Sequence, residues 1–268
     1  MSRVVFVLLD GLAAATARRC MSFMQSLTDA GLARHTELQG ELPPLSRPIY
    51  ATLLTGLRPA QSGIMHNDDA RLCPAPTIFS RAQATGLTTA AAAYHWMSEL
   101  CNVAPFEPGR DRITDNAALP IAHGLFYCTD AYPDDETFHD AACLRRRHEP
   151  HLLLAHSMGI DNAGHLHGAN SKEYRDAARR ADGLLARWLP EWTSAGYAVL
   201  VTSDHGMDDA AITTTAKPAG GFPCGWRAKG LKTPPCPQIK RRLQGLYAVR
   251  SALNNTLHLH KYHAAEHV

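Results

Sequence analysis

The residues with chemistry to offer fall in four short stretches. Asp204 and His205 stand side by side in Thr202-Ser203-Asp204-His205-Gly206-Met207. Aspartate supplies a hard oxygen and histidine a borderline nitrogen, a pair that suits zinc or a similar divalent ion. A surface turn would carry the same two residues equally well. Asp161 and His165 are four apart in Asp161-Asn162-Ala163-Gly164-His165, so one helical turn would bring both to one side. The spacing reads as a ligand pair, or as a capping aspartate with a solvent-facing histidine. His167 reads as a supporting or exposed residue. Asp10, in Asp10-Gly11, is either an N-cap or turn carboxylate or another ligand. Ser46 follows Leu42-Pro43-Pro44-Leu45. There it can cap a helix, or attack a phosphoryl group held at that helix end, where backbone N–H groups attract anions. Unassisted serine is a weak nucleophile, and a nearby metal would lower its hydroxyl pKa. Arg47, beside it, can hold phosphate oxygens or lie exposed.

Each stretch needs an element to aim it. Arg3–Leu9, Leu152-Leu153-Leu154-Ala155 and Tyr197-Ala198-Val199-Leu200-Val201 are continuous apolar runs. Runs of this kind are strands buried on both faces of a parallel sheet. Asp10, Asp161 and Asp204 each follow one of them, at the carboxyl edge where open α/β sheets bind ligands. A further strand is expected over Thr88 to Ala93. Helices are expected over Thr16 to Leu32, from Ser46 with Pro48 tolerated in the first turn, and over Asp134 to Arg147. The longest helix should run from Ser171 to Leu189, be stopped by Pro190, and bury Tyr174, Ala178, Ala181, Leu184, Leu185 and Trp188. The charged segment from Glu107 to Asp115 reads as a loop that caps the site or faces substrate. The pattern predicts an α/β fold: a mostly parallel central sheet with helices on both faces.

Composition narrows the function classes. The chain has 268 residues, 45% hydrophobic and 19% charged, enough to bury a sizeable core. A formal net charge of +2 argues against a nucleic-acid-binding module. No apolar run reaches the roughly 18 residues of a membrane span. Seven cysteines without a Cys-x-x-Cys pair argue against both a disulfide framework and a cysteine-type zinc site. A reducing, cytoplasmic setting is the expectation.

In this order, Asp10-Gly11 after the first strand, Ser46 in a Pro-rich approach to Thr55-Gly56, Asp161-x-x-Gly164-His165 and Ser203-Asp204-His205-Gly206-Met207 resemble the alkaline phosphatase superfamily. The nearest branch is the type I phosphodiesterase/nucleotide pyrophosphatase group, and the resemblance runs from about Arg3 to Asp209. It implies two divalent metal ions, commonly zinc. Asp10, Ser46, Asp204 and His205 would serve one, Asp161 and His165 the other. It further implies hydrolysis of a phosphodiester or nucleotide pyrophosphate through a phospho-Ser46 intermediate, with a small phosphorylated or nucleotide substrate. Phosphomonoesterases, phosphonate hydrolases and phosphomutases of the superfamily are the alternatives, as is a non-catalytic remnant. Ile49 departs from the pattern, since many diesterases of the group carry Asn there.

The C-terminal region departs further. The resemblance calls for another metal-binding His soon after His205, followed by a strand. Residues 210–268 offer neither pattern. Reading the third base of each codon with the first two of the next changes this. Ala210 to Thr214 then permits Gly-His-His-Asn, and Gly221 to Leu231 permits Val-Pro-Leu-Trp-Val-Ala-Gly-Lys-Gly-Phe. The chain therefore reads as a catalytic domain over 1–209 and an atypical tail over 210–268 that has left its ancestral frame near Asp208 or Asp209. The second metal site would then lack a ligand.

Overall fold

The computed structural model describes residues 3–207 together with the backbone of Cys224–Ala228. Eight strands form one sheet: β1 (Arg3–Leu9), β2 (Ala33–Glu37), β3 (Thr89–Tyr94), β4 (Ile113–Asp115), β5 (His123–Tyr127), β6 (Leu152–Ser157), β7 (Tyr197–Thr202) and β8 (Cys224–Ala228). Their order is β2-β8-β7-β1-β6-β3-β5-β4. The five central strands, β7-β1-β6-β3-β5, are parallel, and the strands beyond them on either side pair antiparallel.

The apolar runs become strands because both their faces are covered. Val5, Val7 and Leu9 of β1 enter one core, with α1 (Ala14–Cys20), α2 (Ser22–Asp29), α8 (Asp134–His148), α9 (Gly159–His167) and α10 (Lys172–Ser194). Val4, Phe6 and Leu8 enter the other, with α3 (Ser46–Thr55), α5 (Ile78–Gln83) and α6 (Trp96–Cys101). This is the two-sided α/β layering expected of parallel strands. Two short helices, α4 (Pro59–Ser62) and α7 (Pro108–Asp111), lie in the connections. No helix among the described residues is long and apolar enough to cross a membrane.

Four local expectations change. The helix expected from Thr16 to Leu32 breaks at Met21, whose φ of −103° and ψ of 71° leave the helical region. Beyond the break, Asp182 of α10 accepts from the N–H groups of Phe23 (2.8 Å) and Met24 (3.1 Å). A carboxylate from another helix thus caps α2, which has no side-chain cap of its own. Asp182 is buried, so Asp182→Ala should cost about 1–3 kcal/mol in urea unfolding. A loss below about 0.5 kcal/mol would contradict the cap.

Secondly, α10 does not stop at Pro190 but continues to Ser194. Its last turn buries Trp192 completely, stacked on Phe138 at 5.8 Å. Burying a side chain of that size offsets much of the roughly 3 kcal/mol cost of an interior proline. Thirdly, the segment from Glu107 to Asp115 does not cap the site. It forms α7 and then β4, which pairs with β5 at the sheet edge.

Finally, the tail contributes a strand where its residue pattern suggested none. β8 lies antiparallel between β2 and β7. Unpaired backbone groups along an open strand edge accept a partner whatever its side-chain pattern. The remaining tail residues, including His258 and His260, lie outside the described residues.

Candidate active site

Three parallel strands deliver the site. β1 pairs with β6 on one side and β7 on the other, so the residues following all three converge at one carboxyl edge. Asp10 follows β1, α9 with Asp161 and His165 follows β6, and Asp204 and His205 follow β7. Backbone N–H groups stitch these ends together. Gly11 N–H donates to Asp204 Oδ1 (3.1 Å), and Leu12 N–H to Ser203 Oγ (2.9 Å). Gly11 has a φ of +68°, and a Cβ there would lie 2.7 Å from Asp161 Oδ1. Only glycine lets β1 end so close to α9.

Ser46 begins α3, as its position after the prolines suggested, and is buried. Its Oγ lies 3.0 Å from His205 Nε2. His205 Nδ1 is 2.8 Å from the Gly206 carbonyl and donates to it. In the neutral ring, Nε2 therefore presents its lone pair to the Ser46 hydroxyl. That same nitrogen lies 3.3 Å from Asp204 Oδ2, 3.5 Å from Asp10 Oδ1 and 3.9 Å from Asp161 Oδ1. All three carboxylate oxygens are buried without a hydrogen-bond partner.

Three buried carboxylates around one imidazole leave negative charge uncompensated. Burial, then the Asp204 and Asp161 carboxylates, push the Asp10 carboxyl well above its ordinary range. Burial also raises Asp204, against the opposing pull of His205. Burial would depress the His205 imidazole, but Asp204 and Asp161 outweigh it and raise its pKa. Buried carboxylates whose unpartnered oxygens face one imidazole nitrogen fit a divalent metal. Candidate ligand atoms of Asp10, Asp204 and His205 lie within 4.8 Å of one another.

The second pair adjoins the first. Asp161 Oδ2 is 3.3 Å from His165 Nε2, and the His165 side chain is 65% exposed, at the open mouth of the site. The helix carrying them is anchored at its first residue, where Gly159 N–H donates to the half-buried Asp134 carboxylate (3.0 Å).

Arg47 does not behave as expected. It is buried, its Nη2 is 2.6 Å from Glu99 Oε2, and its guanidinium lies 4.5 Å from the Trp96 ring centroid. A guanidinium neutralised by an equally buried carboxylate is not free to hold phosphate oxygens. The expected row of helix-end donors is also shortened. Arg47 N–H donates to Asn67 Oδ1 (3.1 Å), and Pro48 has no N–H.

Two residues at the centre escaped sequence reasoning. Tyr50 OH donates to Asp10 Oδ2, and His156 Nε2 lies 3.2 Å from the same oxygen. Both are completely buried. Burial holds the His156 imidazole down at about 3, so it is neutral. Tyr50 stands one helical turn after Ser46, a spacing that could have drawn notice. His156 directly follows the apolar run Leu152–Ala155, and the strand extends through it to Ser157.

A separate trio, Asp115, His123 and His148, also brings ligand atoms within 4.8 Å. Its two imidazoles stack at 3.7 Å with planes 14° apart. In-plane lone pairs of parallel rings do not converge on one point, so the trio is read as a cross-strand ion pair under a helix end.

A family model, type I phosphodiesterase / nucleotide pyrophosphatase, matches residues 4–218. Comparison with curated proteins gave no match. Among solved structures, an inactive form of murine ectonucleotide pyrophosphatase / phosphodiesterase 5 in complex with AMP superposes with a TM-score of 0.60 at 19% identity, over 78% of this chain and 58% of that one. The human protein of the same name gives 0.58 at 20%, over 76% and 57%. Phosphonoacetate hydrolase from Sinorhizobium meliloti 1021, in complex with phosphonoformate, gives 0.52 at 21%, over 76% and 56%. At these identities the likeness is one of fold, and the chain matches under three fifths of the length of each. The family match spans most of the chain and all four motif stretches: the chain belongs to the type I phosphodiesterase/nucleotide pyrophosphatase family of the alkaline phosphatase superfamily.

Proposed function

We propose that the chain is built to hydrolyse phosphate esters with divalent metal ions, through a phospho-Ser46 intermediate. The carrying observation is the set of unpartnered buried oxygens of Asp10, Asp161 and Asp204 facing His205 Nε2 beside the Ser46 hydroxyl. Asp10, Asp204 and His205, with Ser46, would hold one ion, and Asp161 and His165 a second. Bound there, zinc or a similar ion would supply positive charge to the attacking and leaving oxygens of an in-line displacement.

The chain's own groups do the rest. The start of α3 fixes Ser46 Oγ at the carboxyl edge of the sheet. Its oxygen gives up its proton to solvent and bonds to phosphorus as the ester oxygen leaves with the bonding electrons and takes up a proton. Water then adds to phosphorus and cleaves the Oγ–P bond, releasing phosphate and returning a proton to Oγ. Exposed His165 leaves the mouth open to a small phosphorylated substrate.

Murine phosphodiesterase 5 was solved with AMP and phosphonoacetate hydrolase with phosphonoformate, which supports a nucleotide or phosphonate as the class to test. A phosphodiester or nucleotide pyrophosphate is the leading substrate. Buried Ile49, standing where many diesterases of the group have Asn, favours a test of monoesters alongside. Chelated protein reloaded with zinc should hydrolyse bis(p-nitrophenyl) phosphate or the p-nitrophenyl ester of thymidine 5′-phosphate faster than p-nitrophenyl phosphate. The reverse order would assign a monoesterase. No turnover of any of them would favour a non-catalytic metal- or nucleotide-binding remnant.

A further inference from the structure

We propose that Tyr50 and His156 are positioning residues that hold Asp10 in a one-oxygen ligand pose and tie that pose to the nucleophile's helix. The inference rests on the reading of Asp10 as a metal ligand and extends it to two residues not assigned a role there.

Asp10, Tyr50 and His156 are each completely buried. As a metal ligand Asp10 would be ionised and its carboxylate could only accept, so both neighbours would donate. Tyr50 gives its phenolic hydrogen and His156 its Nε2–H, and both go to Oδ2. Oδ1 receives nothing and faces His205 Nε2 at 3.5 Å. With two donors on one oxygen, the carboxylate cannot swing to share both oxygens with a cation, and Oδ1 alone is presented. Loss of a donor would free Oδ2 and leave the carboxylate loose.

The two donors come from different elements. His156 is the last residue but one of β6 and sits level with Leu8 of β1. Tyr50 belongs to α3, one turn beyond Ser46, on the same helix face. The two rings meet edge to face at 4.9 Å and 77°, an arrangement favoured by the ring quadrupoles. Packing therefore locks both donors, and the hydroxyl–carboxylate contact fixes α3, hence Ser46, relative to the ligand. Partners that orient metal ligands in this way are worth about 10–100-fold in metal affinity.

The test compares wild type, Tyr50→Phe, His156→Leu, His156→Gln and Asp204→Asn in the full chain. Zinc affinity is measured by competition with a chromophoric chelator, and the cobalt-loaded proteins are examined by visible absorption. Metal-free thermal midpoints serve as the control for folding. Tyr50→Phe and His156→Leu should each weaken zinc binding about 10–100-fold. They should also dim the cobalt band as Asp10 moves toward two-oxygen coordination. His156→Gln, which restores an N–H at the position of Nε2, should recover most of the affinity and the band. A merely structural role would lower the thermal midpoint without altering the cobalt spectrum. Wild-type affinity and spectrum in folded Tyr50→Phe and His156→Leu would overturn the proposal. Should His156→Leu fail to fold, Tyr50→Phe, which removes one oxygen, decides alone. If Asp204→Asn also leaves zinc binding intact, the metal reading itself has failed. If only Asp204→Asn weakens it, the metal reading stands and the positioning role falls.

Discussion

Ser46→Ala is expected to reduce turnover of a chromogenic phosphate ester by on the order of 10³-fold or more, with the metal content almost unchanged. The two halves of this result have separate causes. The hydroxyl is the attacking atom, and its removal leaves no other nucleophile in place. Ser203, the other hydroxyl beside the centre, accepts from Leu12 N–H and donates to the His205 carbonyl at 2.7 Å, so it cannot substitute. Metal retention follows because Asp10, Asp204 and His205 keep their oxygens and nitrogen within 4.8 Å of one another. Removing a neutral hydroxyl does not relieve the uncompensated charge of three buried carboxylates, and so the affinity for a cation persists. Metal analysis of the purified variant beside its kcat checks both halves. Wild-type turnover with metal present would remove Ser46 from its role. Loss of metal along with turnover would make Ser46 mainly a ligand.

The strands that carry the site were legible because burial on both faces demands unbroken apolar runs. β1 and β7 could be read directly, and with them the placement of Asp10 and Asp204. The placing of Asp161 and His165 on one helical turn, the pair proposed as ligands, was legible through its four-residue spacing alone. What sequence reasoning missed has a common physical cause: its effect depends on partners distant in the chain. Arg47 looked like a phosphate-binding residue because nothing nearby reveals Glu99, 52 positions on, as its counter-ion. His156, just past the apolar run Leu152–Ala155, drew no notice because its partner Asp10 lies 146 residues away. The trans cap from Asp182 broke an expected helix at Met21, and Trp192 carried another through Pro190. In both helices tertiary burial overrode local preference. Short edge strands such as β4 have too little sequence to show a period, and β8 forms against an edge that its own residues do not advertise.

Restoring the shifted reading frame near codon 208, by adding one base or removing two, is expected to raise soluble yield, metal content and turnover together. The proposal that residues 210–268 are out of frame draws support from two directions, the strand β8 and the second metal pair; the family match itself runs on to residue 218. The codons from Pro223 to Arg227, four of them within β8, permit Leu-Trp-Val-Ala when shifted, an apolar strand of the kind an interior position wants. In the present frame the same place between β2 and β7 is held by Cys-Gly-Trp-Arg-Ala, with a glycine that weakens a strand interior. The metal argument runs in parallel. Asp161 and His165 are two protein ligands where a closed or catalytic site holds three or more, and the shifted Gly-His-His-Asn would supply the missing imidazole. The present chain should therefore hold one ion firmly and a second weakly. The restored chain should hold two with comparable affinity in a zinc titration. Hydrolysis should rise with the second ion, because both the attacking and leaving oxygens then face a compensating charge. A restored chain that gains neither the second ion nor turnover would overturn the proposal. So would a present chain that already binds two ions equally tightly, with a tail histidine such as His258 or His260 in the vacant place.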